Sequence, residues 1–409
     1  MPTTSLEQQL ARSLAQRQPA LVEQLRALVN ICTGGSGPIA REGLDRTRDM
    51  LTARLRAIGA SVTLEPGDAR PSWIGGPSST DLGPWAPPTA VCRGPAVASP
   101  RCRILLVGHL DTVHPPESPF RELSIAPDGA TATGPGCVDM KGGLLVLVAA
   151  LEALAEAGVP VAWTVAFNSD EETGTYCSDR ILRNLAREHD VGLVVEPAMP
   201  DGSLAIRRPG SGQFLIETRG RAAHVGRDFA KGISAVNALA RAISAVAELP
   251  DPSRGLVANI GPLEGGAAAN VVPDSARAWG NVRYADEAQA QELAARLAAL
   301  ETPADALPGV RVTTSFNRPA KPTTPAVERL ALLARAAAED LGQALPFAPT
   351  GGVCDGNNLQ AEGLPTVDTL GVRGGGLHTP QEWIELASLH QRAALLAVLI
   401  SRLSAQGLT

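Results

Sequence analysis

The alternation of apolar and polar positions divides the chain into a helical beginning, a stretch of alternating strands and helices, a strand-rich middle and a helical end. Residues 5–31 and 41–58 carry apolar side chains at the three- and four-residue spacing of amphipathic helices, and Gly59 is placed to close the second. Ser61–Leu64 reads as a short strand. From Gly67 to Pro100 the chain is crowded with Gly, Pro and Ser, which predicts a long surface loop enclosing one strand near Ala90–Arg93. Arg103–Val107 is a buried strand whose apolar run ends in Gly108-His109-Leu110-Asp111. Leu144–Ala157 is an apolar helix stopped by Gly158. Val161–Phe167 is a second buried strand, ending in Asn168-Ser169-Asp170-Glu171-Glu172. A helix capped by Ser178 reaches His189, and the strand Gly192–Val195 again ends in an acid, Glu196, followed by Pro197.

The pattern changes near residue 203. Ser203–Arg219, Leu256–Gly261, Ala276–Tyr284 and Val310–Phe316 read as strands, with helices at Gly232–Glu248 and Asp286–Leu300. This β-α-β-β-α-β order is that of a two-layer ferredoxin-like sandwich. Helices at Pro325–Leu341 and Glu385–Leu403, with a short segment at Pro365–Leu370 between them, resume the earlier alternation, so the sandwich reads as an insertion. The expected fold class is α/β: a mixed central sheet flanked by helices, with an inserted ferredoxin-like α+β domain. The expected boundaries are 1–202 and 318–409 for the two parts of the main domain and 203–317 for the insertion.

Composition narrows the function classes. The chain has 409 residues with 44% hydrophobic and only 3% aromatic side chains, so Ala, Leu and Val must fill a sizeable core. Acidic residues outnumber basic ones, 42 to 36, for a net charge of −6, which argues against nucleic acid as the partner. The cysteines, Cys32, Cys92, Cys102, Cys137, Cys177 and Cys354, are scattered and contain no C-x-x-C, which speaks against a zinc finger and a disulfide framework. Neither a basic-plus-apolar leader nor an apolar run of about 18 residues is present, so no membrane partner is expected. A cytoplasmic location fits these features.

The chemistry is expected at strand ends. In an open α/β sheet the carboxyl ends of parallel strands share one edge, where ligands bind. His109, Asp111, Glu171, Glu172 and Glu196 follow strands, Asp139 sits in Gly134-Pro135-Gly136-Cys137-Val138-Asp139-Met140-Lys141-Gly142-Gly143, and His378 follows Gly374-Gly375-Gly376-Leu377. Each has an ordinary reading. A lone His-x-Asp is common, an acidic run is often a solvated turn, and Asp139 could be the N-cap of a helix. Together, two imidazoles and several carboxylates suit Zn²⁺, Co²⁺ or Mn²⁺ rather than an all-oxygen Ca²⁺ site. The carboxylates exceed the need of one tetrahedral ion, and two ions bridged by an acid, roughly 3.5 Å apart, constitute machinery for hydrolysis. One acid must stay off the metals to move protons, and either Glu171 or Glu172 could do so. Neither a G-x-S-x-G nucleophile elbow nor a P-loop spacing occurs.

Gly108-His109-Leu110-Asp111-Thr112-Val113, Gly136-x-x-Asp139-Met140-Lys141-Gly142-Gly143, Asp170-Glu171-Glu172-x-Gly174 and Glu196-Pro197 resemble, in order and spacing, the signatures of the dinuclear zinc exopeptidase and deacylase family. That family includes glutamate carboxypeptidase, acetylornithine deacetylase, succinyl-diaminopimelate desuccinylase and aminoacylase. The resemblance implies that Asp139 bridges two divalent ions, most simply Zn²⁺. His109 and Glu196 would complete one ion, and Glu172 and His378 the other. Glu171 would serve as general base and then acid, with a metal-held hydroxide as nucleophile. Asp111 would hydrogen-bond the second nitrogen of His109. The inserted domain would be a lid and dimerisation domain. Arg221-Ala222-Ala223-His224-Val225-Gly226 is similar to the lid histidine motif, which makes His224 a stabiliser of the tetrahedral intermediate acting from the partner of a homodimer. Asn270 of Asn270-Val271-Val272-Pro273 and Arg283 of Asn281-Val282-Arg283-Tyr284 would bind the substrate's carboxylate.

Other residues near these motifs read as structural. His114 is structural or lines the entrance; Lys141 belongs to the start of a helix; Cys137 and Cys354 are small loop residues; Asp355 has no assigned role. His189 and His390 lie on predicted helices as surface or core residues. Met199-Pro200-Asp201-Gly202-Ser203 lacks the lysine that glutamate carboxypeptidase carries after its acidic ligand, which argues against glutamate-type side-chain recognition. The resulting expectation is a metallopeptidase cleaving an amide next to a free α-carboxylate in a peptide substrate. The alternatives are an N-acyl-amino-acid deacylase and, more remotely, a non-catalytic metal-binding protein of the same fold.

Overall fold

The computed structural model describes residues 4–75 and 85–408, which leaves residues 76–84 of the Gly67–Pro100 loop outside the described residues. The described chain forms two compact units. One comprises residues up to Arg70, 85–207 and 323 onwards, and the other residues 71–75 and 208–322.

The first unit is built on a six-stranded mixed sheet in the order Ser61–Glu65, Thr89–Arg93, Ala162–Asn168, Arg103–His109, Val191–Val194, Thr366–Val367. The first two strands run antiparallel to their neighbours, and the remaining pairs are parallel. Both faces are covered, which is why Ile104–Val107 is apolar without alternation. Ile104 and Leu106 join the larger core with Leu144–Leu151 and Leu395–Leu399, while Leu105 and Val107 join Ile181, Leu182 and Leu185 on the other face. The helix Gly142–Glu156 is buried on nearly every side and comes so close to the sheet that a Cβ at Gly143 would lie 2.1 Å from the carbonyl oxygen of Val195.

Three expected elements are divided or capped differently. The helical pattern 5–31 is two helices, Ser5–Gln16 and Gln18–Val29, because Pro19 has no N–H to continue the ladder and its ring collides with the carbonyl four residues back. Ser203–Arg219 is likewise two strands, Leu204–Arg207 and Gly210–Arg219, separated at Arg208-Pro209. The first pairs in parallel with Phe347–Pro349. Ser178 precedes the helix Asp179–Glu188 without capping it, because its hydroxyl is engaged by Asp170 at 2.6 Å.

The second unit is a four-stranded antiparallel sheet, ordered Val257–Gly265, Ser275–Tyr284, Gly210–Arg219, Gly309–Arg318. Helices Ala235–Ala247 and Glu287–Ala298 supply Leu239, Val246 and Leu293 to a core with Phe214, Ile216 and Val282. The connectivity is the β-α-β-β-α-β order expected of the insertion. The segment 71–75 belongs here: the carbonyl of Trp73 accepts the Trp279 indole N–H at 2.8 Å, and Ile74 is buried. Where the unit begins and ends, Arg208 and Lys321 form an antiparallel bridge with both N–H···O distances at 3.0 Å. Among the described residues, no helix is long and apolar enough to cross a membrane.

Candidate active site

His109 is the last residue of the central strand Arg103–His109, and its side chain is almost fully buried. Its Nδ1 lies 2.9 Å from the backbone carbonyl of Asp111, so this nitrogen carries the proton and donates it. Nε2 then faces Asp139 Oδ1 at 3.1 Å and Glu196 Oε1 at 4.0 Å, the side from which it would ligate an ion. The expectation for Asp111 needs refinement on this point, since its carboxylate stands 3.5 Å from Nδ1, farther than its own carbonyl. The carboxylate instead accepts the backbone N–H groups of Glu172 at 2.9 Å and Glu171 at 3.3 Å and thereby pins the acidic turn after the neighbouring strand.

Asp139 is the centre of the arrangement. It does not cap a helix; its Oδ1 faces His109, and its Oδ2 lies 3.5 Å from His378 Nε2. Glu172 Oε2 stands 3.3 Å from the same His378 nitrogen. His109, Asp139 and Glu172 each offer one ligand atom, all within 4.8 Å of one another. His378 occupies the left-handed region at φ 62°, at the tip of a hairpin between Gly374–Gly375 and Trp383–Glu385. The latter strand also pairs with Thr131–Thr133, which leads directly into the turn bearing Asp139.

The electrostatics are those of a place that lacks positive charge. Burial disfavours a charged His109, yet Asp111 and Asp139 outweigh it and hold its pKa well above the usual histidine value. The carboxylates of Asp139 and Glu172 push His378 up to about 10. Burial raises Glu172, whereas Asp139 is lowered because His109 and His378 more than offset its burial. A divalent cation would neutralise the negative charge that these imidazoles otherwise neutralise by taking protons. The donors fit such an ion: imidazole nitrogen and carboxylate oxygen, on a scaffold that fixes the His109 tautomer.

The second unit carries the other expected residues. Ala223–His224 pairs with Val271–Val272, and the N–H of Val225 donates to the Asn270 carbonyl at 3.0 Å, so His224 and Asn270 are neighbours. His224 is exposed, with Nδ1 accepting the Gly226 N–H at 3.1 Å. Arg283 lies apart on the strand Ser275–Tyr284, where its Nη1 donates to Ser211 Oγ, Asn281 Oδ1 and the carbonyl of Val282. Burial and the nearby Arg318 lower its pKa.

Peptidase family M20/M25/M40 is the family whose model matches residues 105–402. The chain belongs to this family. It is a metallopeptidase-type hydrolase. Carboxypeptidase G2 of Pseudomonas sp. (strain RS-16) is 28% identical over 415 residues, which cover 97% of this chain and 92% of that protein. Succinyl-diaminopimelate desuccinylase of Methylobacterium sp. (strain 4-46) is 29% identical over 71% of this chain and 78% of its own length. Among solved structures, a tripeptidase from Staphylococcus aureus superposes with a TM-score of 0.75 over 95% of this chain and 99% of that one, at 22% identity. The M20 fold is thus present along nearly the whole chain.

Several further residues hold this M20 site together, and among them Glu382 is not singled out by the sequence, while His114, Lys141, Cys137, Cys354 and Asp355 read there as structural or without an assigned role. Glu382 is buried and accepts the N–H groups of Gly136, Val138 and Asp139 at 2.8, 2.9 and 3.0 Å. Its partner His114 donates to it at 2.8 Å. Asp170, the first acid of the triplet, folds its own loop by accepting Cys177 N–H and Ser178 Oγ–H, both at 2.6 Å, and burial pushes it up to about 6. Asp355 gains a structural place, accepting from Asn168 at 2.8 Å and Thr175 at 2.7 Å. Lys141, fully buried, donates to the carbonyl of Ile31 at 2.8 Å. Cys354 caps the helix Asp355–Ala361, and burial raises the Cys137 thiol well above its usual range. The available signal for Asp170 was its place as the third acid beside Glu171 and Glu172; Glu382, four residues after His378, stands in no motif of this kind.

Proposed function

We propose that this chain is a two-metal amidohydrolase of the carboxypeptidase kind, cleaving an amide bond next to a free α-carboxylate. The observation that carries the reading is the Asp139 carboxylate, whose two oxygens face two different imidazoles, His109 and His378. His109, Asp139 and Glu196 would hold one divalent ion, and Asp139, Glu172 and His378 the other. Zn²⁺ suits this mixed nitrogen and oxygen set, with Co²⁺ or Mn²⁺ as substitutes. When bound, such ions supply Lewis acidity for the scissile carbonyl and acidify the attacking water.

The chain's own residues do the rest. Glu171 takes the proton of the attacking water and returns it to the amine nitrogen as the C–N bond breaks. The Asp111 carboxylate holds the backbone of Glu171 and Glu172, which sets the two adjacent side chains for separate roles, Glu172 as ligand and Glu171 in proton transfer. Arg283 is the candidate fork for the substrate's α-carboxylate, Asn270 a second contact, and His224 the donor to the developing oxyanion. The reading includes a homodimer through the second unit, with His224 acting across it. Support comes from the edge strand Val257–Gly265, whose Val257 and Leu263 are exposed. A cytoplasmic location is supported by six free cysteines, five of them buried.

Glu171→Gln tests the mechanism. It should retain two metal equivalents and lose turnover by at least about 10³-fold, near the range of a lost general base; full activity would refute the assignment. The relationship to a desuccinylase supports N-acyl-amino-acid deacylation as the second reading. A panel of dipeptides, folate-like substrates and N-acetyl or N-succinyl amino acids separates the two, because only the acyl portion differs. Sedimentation of a fully active monomer would remove the trans role of His224.

A further inference from the structure

The turn Gly136–Asp139 poses a problem that the metal chemistry does not solve. It begins at Gly136 in the left-handed region (φ 69°) and runs through buried residues into the helix at Gly142; backbone carbonyls receive Cys137 N–H and Lys141 N–H, whereas the N–H groups of Gly136, Val138 and Asp139 go to a side chain. Glu382 receives Gly136 N–H on Oε2 at 2.8 Å and Val138 and Asp139 N–H on Oε1 at 2.9 and 3.0 Å. His114 Nε2 stands 2.8 Å from Oε2, and the Glu382 side chain is 1% exposed. Both carboxylate oxygens therefore carry donors, and the buried charge is spread over four of them.

The same residue also joins three segments far apart in sequence. His114 follows Asp111 on the loop after the central strand, Asp139 belongs to the turn itself, and Glu382 lies four residues past His378 on the hairpin. The backbone of Glu382 adds to the link, since its carbonyl accepts Gly134 N–H at 3.2 Å and its own N–H donates to Thr379 at 3.2 Å. One carboxylate thus sets the relative positions of the segments that carry His109, Asp139 and His378.

We propose that Glu382, held by His114, is the positioning residue of this site: it fixes the backbone of Asp139 and couples it to the His378 hairpin, so that the carboxylate between the two imidazoles is in place before any ion binds. This rests on the metal assignment above, and the experiment separates the two. Glu382→Gln keeps the shape but puts an NH₂ where a carboxylate oxygen now faces backbone donors. His114→Phe removes the fourth donor, and His114→Gln restores one.

Three quantities are read for each variant: the hydrogen exchange of the 136–139 amides in metal-free protein, Zn²⁺ affinity by competition with a chromophoric chelator, and kcat and KM separately. Glu382→Gln should speed exchange at those amides and weaken Zn²⁺ binding by about 10–100-fold, the usual effect of removing a partner that orients a ligand. It should lower kcat with little change in KM. His114→Phe should do the same more weakly, and His114→Gln should recover most of the loss. If Glu382→Gln does not fold, the two His114 variants carry the test. A variant set with lowered thermal stability but unchanged Zn²⁺ affinity and kcat overturns the proposal. A wild-type protein that binds no metal overturns the functional reading instead, while the amide-exchange result still reports on Glu382.

Discussion

Replacing Gly143 by alanine tests whether the buried helix is as tightly seated as described. In an ordinary helix interior this substitution stabilises by about 1 kcal/mol, because alanine loses less backbone freedom. Here the new Cβ would lie 2.1 Å from the Val195 carbonyl oxygen, whereas a carbon and such an oxygen approach comfortably to about 3.3 Å. The shortfall of about 1.2 Å falls on two backbones, since the opposing atom is not the end of a flexible side chain. Overpacking of this kind costs about 1–3 kcal/mol even where side chains can yield. The net expectation is destabilisation by up to about 2 kcal/mol, opposite in sign to helix propensity. Val195 immediately precedes Glu196, so the displacement also reaches a proposed ligand, and a 1 Å error at such a site can cost about 100-fold in rate. Denaturant unfolding of the metal-free protein measures the first effect from the midpoint at constant slope. Zinc titration and kcat measure the second. A Gly143→Ala protein as stable and as active as the wild type would refute the close approach.

Exhaustive chelation should abolish turnover and lower the melting temperature; restoring Zn²⁺ at about 100 times its Kd should return about 2.7 kcal/mol of stability for each site filled, measured by calorimetry at several metal concentrations. Asp111→Ala frees the amides of Glu171 and Glu172, and should reduce kcat by about 10–100-fold with a smaller change in KM. Glu7 accepts from Arg402 and from the Thr4 N–H, at 2.7 and 2.8 Å. Its burial would raise its pKa, but these partners lower it below the ordinary glutamate value, so the stabilisation is fully present above about pH 4.5 and is lost as pH falls through the folded value. Glu7→Gln should therefore cost about 1–3 kcal/mol at pH 7, and that difference from wild type should shrink on acidification to pH 3. Burial pushes the thiols of Cys92, Cys102 and Cys177 up to about 12, so a disulfide reagent at pH 8 should leave them unlabelled until the protein is unfolded.

The readable part of the site was the part made by strand ends. Ile104–Val107 and Val161–Phe167 are apolar runs because both faces of the sheet are covered, and each run stops where polar side chains begin, which marks His109 and the Asp170–Glu172 turn. Pro19 and Pro209 mark true breaks, but the apolar periodicity around them continues on either side and hides them. The role of Ser178 was misread because a serine before a helix usually caps it, and here a buried acid claims the hydroxyl first. Glu382 was invisible for a different reason. Its partners are backbone amides of a distant turn, and backbone groups leave no mark in sequence. The same holds for the Asp111 carboxylate, whose neighbour in sequence is His109 but whose nearest donors are the amides of the next loop.

The bridge between Arg208 and Lys321 bears on how the two ends of the chain find one another. The segments that build the sheet edge are separated by the stretch Arg208–Pro322, yet that stretch leaves at the point where it arrived, with Arg208 and Lys321 hydrogen-bonded to each other. For the rest of the chain it is a side branch rather than a spacer. Once it has formed, the loop joining His109 to His378 is shorter by the entire Arg208–Pro322 stretch, which reduces its closure entropy by roughly 0.5 kcal/mol. The more useful consequence is architectural: the stretch is tied off at one hydrogen-bonded stem, so replacing it by a tight turn between Arg208 and Lys321 gives a shorter chain in which metal binding by His109, Asp139 and Glu172 is measured without it.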